Sequence, residues 1–319
     1  MKAIRVHGFG GPEVLQLGDV VLGSPASHEV LVSVASVGVN PVDTYIRSGS
    51  NPNQPLPYTP GLDAAGIVVA VGSEVELVRV GQRVYVAGSL TGTYAEATLC
   101  RDSQVHPLPD NLSFEQGAAI GVPYATAYRA LFHRAAIKPG ESILIHGASG
   151  CVGTALLQLV KSLGGVVVGT AGTAIGVSSV LANGAVRAFN HTVSGYLTEA
   201  HSVTGGAGFD IVFEMLANVN LGNVLPLLSR NGRVVVIGSR GKVEITPRDL
   251  MVREADIRGM SLFNVIPSDL QEIHRQLHDG FVAGALKPIV ARRFPLDQAP
   301  RAHIDVMSSA VGGKIVITT

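Results

Sequence analysis

Apolar positions in the first hundred residues come in short runs. Lys2 to Val6, Val30 to Val34, Gly66 to Val71, Arg83 to Ala87 and Tyr94 to Leu99 are rich in valine and bounded by Gly, Pro, Ser or Asn. That pattern predicts the strands of an all-β unit. Asn51 to Pro60 carries Pro52, Pro55, Pro57 and Pro60, and predicts a surface loop because proline cannot donate to a ladder. The period then changes. Ser113 and Gln116 are spaced as a capping box ahead of a helical stretch toward His133, and Lys138-Pro139-Gly140 predicts a turn before Ile143-Leu144-Ile145. From there strands (Ile143 to His146, Val166 to Gly169, Asp210 to Phe213, Val234 to Gly238) alternate with helices (from Val152 to Leu163, through Ser178 to Asn183, through Val219 to Leu228). Such alternation predicts a doubly wound parallel sheet with crossover helices, an α/β fold. Past Gly259 the pattern is mixed: a helix starting at Ser268 and Gln271, an extended run Pro288 to Phe294, a helix Ala299 to Met307 and a closing strand Lys314 to Thr318. The changes of period put domain limits near 115 and 260.

Composition narrows the classes. A chain of 319 residues allows two or three domains, and an apolar share of 46% with 15% charged excludes a disordered polypeptide. Lys plus Arg and Asp plus Glu both total 24, so no excess charge draws in a polyanion. Two cysteines are too few for a disulfide framework or a four-thiolate zinc lobe, which points to a reducing compartment. The most apolar region, Ala155 to Thr173, is interrupted by Lys161, Gly164 and Gly165, short of the ~20 residues of a spanning helix. Met1 to Asp19 lacks the apolar core of an export signal, so the expected location is the cytoplasm.

The run His146-Gly147-Ala148-Ser149-Gly150-Cys151-Val152-Gly153 follows a strand and opens a helix. Aligned on Gly150 and Gly153, it is the dinucleotide fingerprint with Ala148 at the first glycine. A pyrophosphate must approach backbone N–H groups at the helix start, which a small residue at Gly150 permits, while Gly153 lets helix and strand pack closely. Cys151 stands where the usual turn has glycine. The acid that grips the adenosine ribose in NAD enzymes is missing: Val166 to Thr173 ends in neutral residues, and no Asp or Glu occurs between Glu141 and Glu199. A 2′-phosphate of roughly −2 charge is tolerated where no carboxylate faces it, which favours NADPH. Arg187, His191 and Arg240 are the nearest basic candidates in sequence.

Longer motifs carry a resemblance. Phe9-Gly10-Gly11-Pro12-Glu13-Val14-Leu15, Gly38-Val39-Asn40-Pro41-Val42-Asp43-Thr44-Tyr45-Ile46-Arg47, Gly117-Ala118-Ala119-Ile120-Gly121-Val122-Pro123-Tyr124, Glu214-Met215-Leu216-Ala217-Asn218-Val219-Asn220 and Gly238-Ser239-Arg240-Gly241 join the phosphate turn. Together they resemble the zeta-crystallin family of NADPH:quinone oxidoreductases, a zinc-free branch of the medium-chain dehydrogenase/reductase superfamily. The resemblance implies a Rossmann domain (116–260) inserted in a GroES-like β-barrel catalytic domain built from both chain ends (1–115 and 261–319). It implies NADPH contacts at Tyr45, Ser149, Gly150, Cys151, Val152, Gly172, His191, Asn220, Ile237, Gly238, Ser239, Arg240, Met260, Ser261 and Leu262, with Asn40 and Tyr45 as catalytic donors. Zinc-dependent relatives place Cys and a His-Glu pair where this chain has Asn40 and Leu62-Asp63. Asn and Leu cannot replace a thiolate and an imidazole on zinc. A quinone takes hydride directly, so the site must mainly position two rings and donate to the oxygen that gains charge.

The family also implies a homodimer or homotetramer through the edge of the Rossmann sheet. Two alternatives stay open: an NADPH-dependent 2-alkenal or enone reductase, and an NADPH-binding crystallin or AU-rich-RNA-binding protein, the last disfavoured by zero net charge.

Overall fold

The computed structural model describes residues 1–308 and 312–319. Its strands, in chain order, are β1 (Lys2–Arg5), β2 (Gln16–Asp19), β3 (Glu29–Val39), β4 (Asp63–Val71), β5 (Arg83–Ala87), β6 (Ala97–Arg101), β7 (Val105–Pro107), β8 (Ile143–Ile145), β9 (Val167–Ala171), β10 (Arg187–Asn190), β11 (Phe209–Glu214), β12 (Leu228–Val236), β13 (Asp256–Gly259), β14 (Val290–Pro295) and β15 (Lys314–Thr318). The helices are α1 (Pro41–Arg47), α2 (Phe114–Gly117), α3 (Gly121–Tyr128), α4 (Cys151–Val160), α5 (Ala174–Ala182), α6 (Tyr196–Ser202), α7 (Ala217–Val224), α8 (Pro247–Met251), α9 (Pro267–Val282) and α10 (Ala299–Val306).

Two units share the chain: Met1–Pro123 with Pro267–Thr319, and Tyr124–Ile266. Both limits fall a few residues beyond the changes of period at 115 and 260. The helical turn capped by Ser113 still packs on β3, β4 and β5, and the chain past β13 stays with the second unit as far as Ile266.

In the first unit, β3 is central. Its first half lies between β4 and β6, and its second half between β4 and β15, which brings the C-terminal strand into the N-terminal sheet. Irregularities in register at Leu31/Val32 and Val34/Ser36 bend β3 where its partner changes. Val30, Val32, Val34, Val37 and Val39 face one core with Val84, Val86, Ile315 and Ile317. β14 adds to β15 in parallel, and the other pairings of this sheet are antiparallel. The strand expected at Tyr94 to Leu99 starts later, at Ala97. Tyr94 and Ala95 are already taken by β1, through Ile4 N to Tyr94 O at 2.8 Å and an Ala3–Ala95 bridge.

The second unit is a six-stranded sheet in the order β10-β9-β8-β11-β12-β13, every pair parallel. Counted from β8, this is the 3-2-1-4-5-6 order of the doubly wound dinucleotide fold. The order reverses at β8, between β9 and β11, and ligands of such sheets lie beyond the carboxyl ends at that point. The helix expected from Ser113 to His133 is broken into α2, α3 and a π-helical turn at Arg129–Ala135, although the capping box at Ser113 and Gln116 forms.

Candidate functional site

The phosphate turn leaves β8 at His146. Gly147 has φ +64°, a left-handed value that glycine adopts without penalty, and it aims the chain back toward α4. Gly147 N donates to Thr170 Oγ1 at 3.2 Å and Ala148 N to Thr170 O at 2.8 Å, so the turn is fastened to β9. Gly150 is the N-cap of α4, whose first turn holds no acid, leaving the positive end of the helix dipole uncompensated. A Cβ at Gly150 would meet only Gly147 O, at 3.3 Å, and otherwise open space. At Gly153 it would lie 2.5 Å from Ala148 Cα. The first glycine is therefore open to a ligand, and the second is needed for packing. Ser149, Cys151 and Val152 flank this cradle and are partly buried. The residues fit an anionic dinucleotide.

The other expected contacts of this unit all lie at carboxyl strand ends. Gly172 follows β9, His191 follows β10, Asn220 is in the first turns of α7 after β11, Ile237 to Arg240 follow β12, and Met260 to Leu262 follow β13. Gly172 and Thr173 confirm that β9 ends without a carboxylate. Of the three basic candidates, Arg187 drops out: it is the first residue of β10, pairs with Val168, and so lies roughly 10 Å of strand from the ligand end. His191 is half-buried. Its N donates to Ala171 O at 3.0 Å, and burial, then the neighbouring His146, hold its imidazole below the ordinary range. Arg240 is exposed, with its backbone N bonded to Asn218 Oδ1 at 2.8 Å.

In the first unit, Asn40 caps the start of α1 and Tyr45 lies within it. Asn40 is 3% exposed, and its amide is engaged: Nδ2 donates to Asp63 Oδ2 at 2.9 Å and Oδ1 accepts from Lys314 Nζ at 2.6 Å. Lys314 Nζ also donates to Asp63 Oδ2 at 2.9 Å, and Asp63 Oδ1 accepts from Val122 N at 2.9 Å. Both acceptors within reach of Asn40 Nδ2 in this structure are the protein's own, Asp63 Oδ2 and, at 3.4 Å, Gly38 O. Gly38 makes room for this arrangement, since a Cβ there would lie 2.7 Å from Lys314 Cε and closer still to Ala118 O.

Asn40, Leu62 and Asp63 offer no sulfur or nitrogen ligand, and the Lys314 ammonium already occupies the cation's place against both oxygens. A dication beside it would be repelled, so the residues do not fit zinc.

A second buried chain fixes α1. Arg47 Nη1, which can only donate, meets His303 Nδ1 at 3.3 Å, so His303 Nε2 carries the proton and donates to Tyr94 Oη at 3.0 Å. Tyr94 in turn donates to Asp43 Oδ2 at 3.1 Å, which also accepts from Asn40 N at 2.9 Å. Asp43 Oδ1 is buried without a partner. Burial pushes the Asp43 carboxyl up to about 7, against the pull of the Asn40 N–H. The native state therefore keeps this proton until pH 7, whereas the unfolded chain gives it up near 3.8. Its contribution to stability is complete below the unfolded value and is lost as pH rises through about 4 to 7. Asp43→Asn keeps an acceptor for Tyr94 and Asn40 and cannot ionise. The stability of the variant relative to the parent should rise by about 4 kcal/mol, as an order of magnitude, between pH 4 and pH 8. Urea unfolding of both proteins across that range checks it, and parallel curves would refute it.

Sequence spacing gave no role to Asp43, Lys314, His146 or Glu214. A buried acid closing β11 directly after the apolar run Ile211-Val212-Phe213 is the local signal that Glu214 offered.

The chain matches the alcohol dehydrogenase GroES-like domain over residues 26–110 and the zinc-binding dehydrogenase family over 183–317. It is 49% identical to quinone oxidoreductase of Lama guanicoe and 47% identical to that of Homo sapiens, in both cases over 99% of this chain and 97% of the relative. Among solved structures, Escherichia coli quinone oxidoreductase complexed with NADPH matches with a TM-score of 0.91 and 33% identity, covering all of both chains.

Proposed function

The chain belongs to the quinone oxidoreductase family, the zeta-crystallin branch of the medium-chain dehydrogenase/reductases, and from that membership we propose which of its residues bind and orient the reactants. It is an NADPH-dependent quinone oxidoreductase. The observation that carries the assignment of residues is the open cradle at Gly150, at the switch point of a sheet whose second strand ends on the neutral Gly172 and Thr173.

NADPH, when bound, supplies the reducing equivalents. The N–H groups of Ser149, Cys151 and Val152 would hold the pyrophosphate at the start of α4, where the helix dipole favours negative charge, while the Gly150 N–H is taken by Gly147 O. Gly172, Thr173 and His191 would border the 2′-phosphate, with Arg240 as the source of positive charge, since burial disfavours the charged form of His191. Asn220, Ile237 to Arg240 and Met260 to Leu262 line the remaining strand ends. Tyr45 donates a hydrogen bond to cofactor or quinone, and Asn40, locked by Asp63 and Lys314, positions α1 rather than touching substrate. The β13 edge of the Rossmann sheet, bordered by exposed Met251, Val252, Phe263 and Ile266, is where a second copy adds to make a dimer or tetramer. Sedimentation of the purified protein should show at least two chains per particle, and a monomer at micromolar concentration counts against it. We place the protein in the cytoplasm, where Cys100 and Cys151 stay reduced.

One plate tests the assignment. NADPH oxidation should depend on added quinone, run faster with ortho-quinones than with 2-alkenals, and show a KM for NADPH at least about tenfold below that for NADH, the ~1.4 kcal/mol expected of one well-placed charge contact. A preference for NADH would mean that the neutral end of β9 does not select the phosphorylated cofactor.

A further inference from the structure

The hydrogen-bond ladder between β8 and β11 stops at the switch point. Its last rungs are Phe213 opposite Ile145 and His146 N donating to Phe213 O at 3.0 Å. The next residue on β11 is Glu214, fully buried and bonded through its side chain to His146. Beyond this rung the chain leaves the sheet at three turns: the phosphate turn after β8, the turn into α7 and the turn after β12.

We propose that Glu214 is a positioning residue for the dinucleotide, a single buried carboxylate and its own carbonyl holding together the three turns on which the cofactor lies. This rests on the NADPH reading above. Glu214 Oε2 accepts from His146 Nδ1 at 2.5 Å, which ties it to the residue that opens the phosphate turn. Oε1 accepts from Leu216 N at 2.7 Å and from Asn220 Nδ2 at 3.0 Å, which fixes the turn into α7. The Glu214 carbonyl accepts from Ile237 N at 2.9 Å and Gly238 N at 3.2 Å, and Gly238 O accepts from Ala217 N at 2.9 Å, which fastens the turn after β12 to the other two. A Cβ at Gly238 would sit 2.4 Å from Met215 O, so these turns are in close contact.

The geometry requires a side chain of this length with a polar atom on each branch of its end. A carboxylate only accepts, so both oxygens can receive donors from opposite sides at once, and His146 Nδ1 must carry the proton. Burial raises the Glu214 carboxyl, but the bonds and charge of His146, then Asn220 and Leu216 N, outweigh it and keep the group below the ordinary carboxylate range. His146 Nε2 is buried without a partner, and the ring faces Tyr196 at 6.1 Å between centroids. The imidazole is thus held from one side only, by the acid.

Reach and charge are separated by two variants. Glu214→Gln keeps the length and the acceptor for Leu216 and Asn220, and its amide can donate to His146 Nδ1 once the imidazole proton moves to Nε2. Glu214→Asp keeps the charge and is one methylene short. Calorimetric titration with NADPH should give a dissociation constant within about threefold of the parent for Glu214→Gln and at least about tenfold weaker for Glu214→Asp, with the quinone KM at saturating NADPH unchanged in both. Should Glu214→Asp not fold, His146→Leu carries the tenfold expectation, because it severs one arm and leaves the acid in place. The proposal is overturned if the shortened acid binds NADPH as the parent does, if Glu214→Gln loses more than Glu214→Asp, as an ion pair needed only for its charge would, or if the quinone KM rises in step. Binding and turnover by the parent protein in the same assays test the NADPH reading separately.

Discussion

Gly150→Val is expected to weaken NADPH binding by more than about a hundredfold, close to 3 kcal/mol, and to leave the melting temperature within a few degrees of the parent. The two effects separate because Gly150 has φ −77° and ψ 173°, an extended conformation open to any L-residue, and the added side chain meets only Gly147 O at 3.3 Å. The remainder of the valine points into the space kept for the pyrophosphate. Gly153→Val is the control. Its Cβ would fall 2.5 Å from Ala148 Cα and 2.6 Å from Gly147 O, so that variant should lose folding along with binding. Titration calorimetry and thermal melts on both proteins decide the matter. Undiminished NADPH affinity in folded Gly150→Val would remove the start of α4 as the pyrophosphate site.

The second large effect lies in the other unit. Lys314→Met should destabilise the protein by about 3–5 kcal/mol, because it leaves a carboxylate buried with no cation. Lys314 is 1% exposed and Asp63 0%, so solvent does not soften the loss. The change also strips Asn40 Oδ1 of its donor, and α1 begins at that residue. Adding Asp63→Asn to Lys314→Met should restore most of the stability, since a neutral amide in place of the acid removes the unpaired charge. Guanidinium unfolding of the single and double variants measures the coupling directly. Equal midpoints for the parent and Lys314→Met would show that Asn40 is held without the ion pair.

Elements with strong local signals were readable in advance. Arg83–Ala87 and Lys314–Thr318 match their strands residue for residue, and the Ser113–Gln116 spacing does form a capping box. The strands with no signal were β2, β7, β10 and β13, and the last two are the edges of the parallel sheet. Arg-Ala-Phe-Asn and Asp-Ile-Arg-Gly are short and polar because an edge strand is covered on one side only, and charge there discourages unwanted pairing. The same logic explains Arg187. It is close in sequence to the expected 2′-phosphate site, but parallel register sends it to the wrong end of its strand.

The amino-acid sequence alone determined the phosphate turn, the neutral end of β9 and the absence of zinc ligands at Asn40 and Leu62, since each depends on which residues stand next to one another or at a short fixed spacing. Only the tertiary structure decided what holds these parts in place. The bonds from Lys314 to Asn40 and Asp63 span 274 and 251 positions, and the bond from His146 to Glu214 spans 68. A buried charge is stable only where the fold supplies its partner, and that partner is chosen by strand register and sheet order, which no local pattern of residues records.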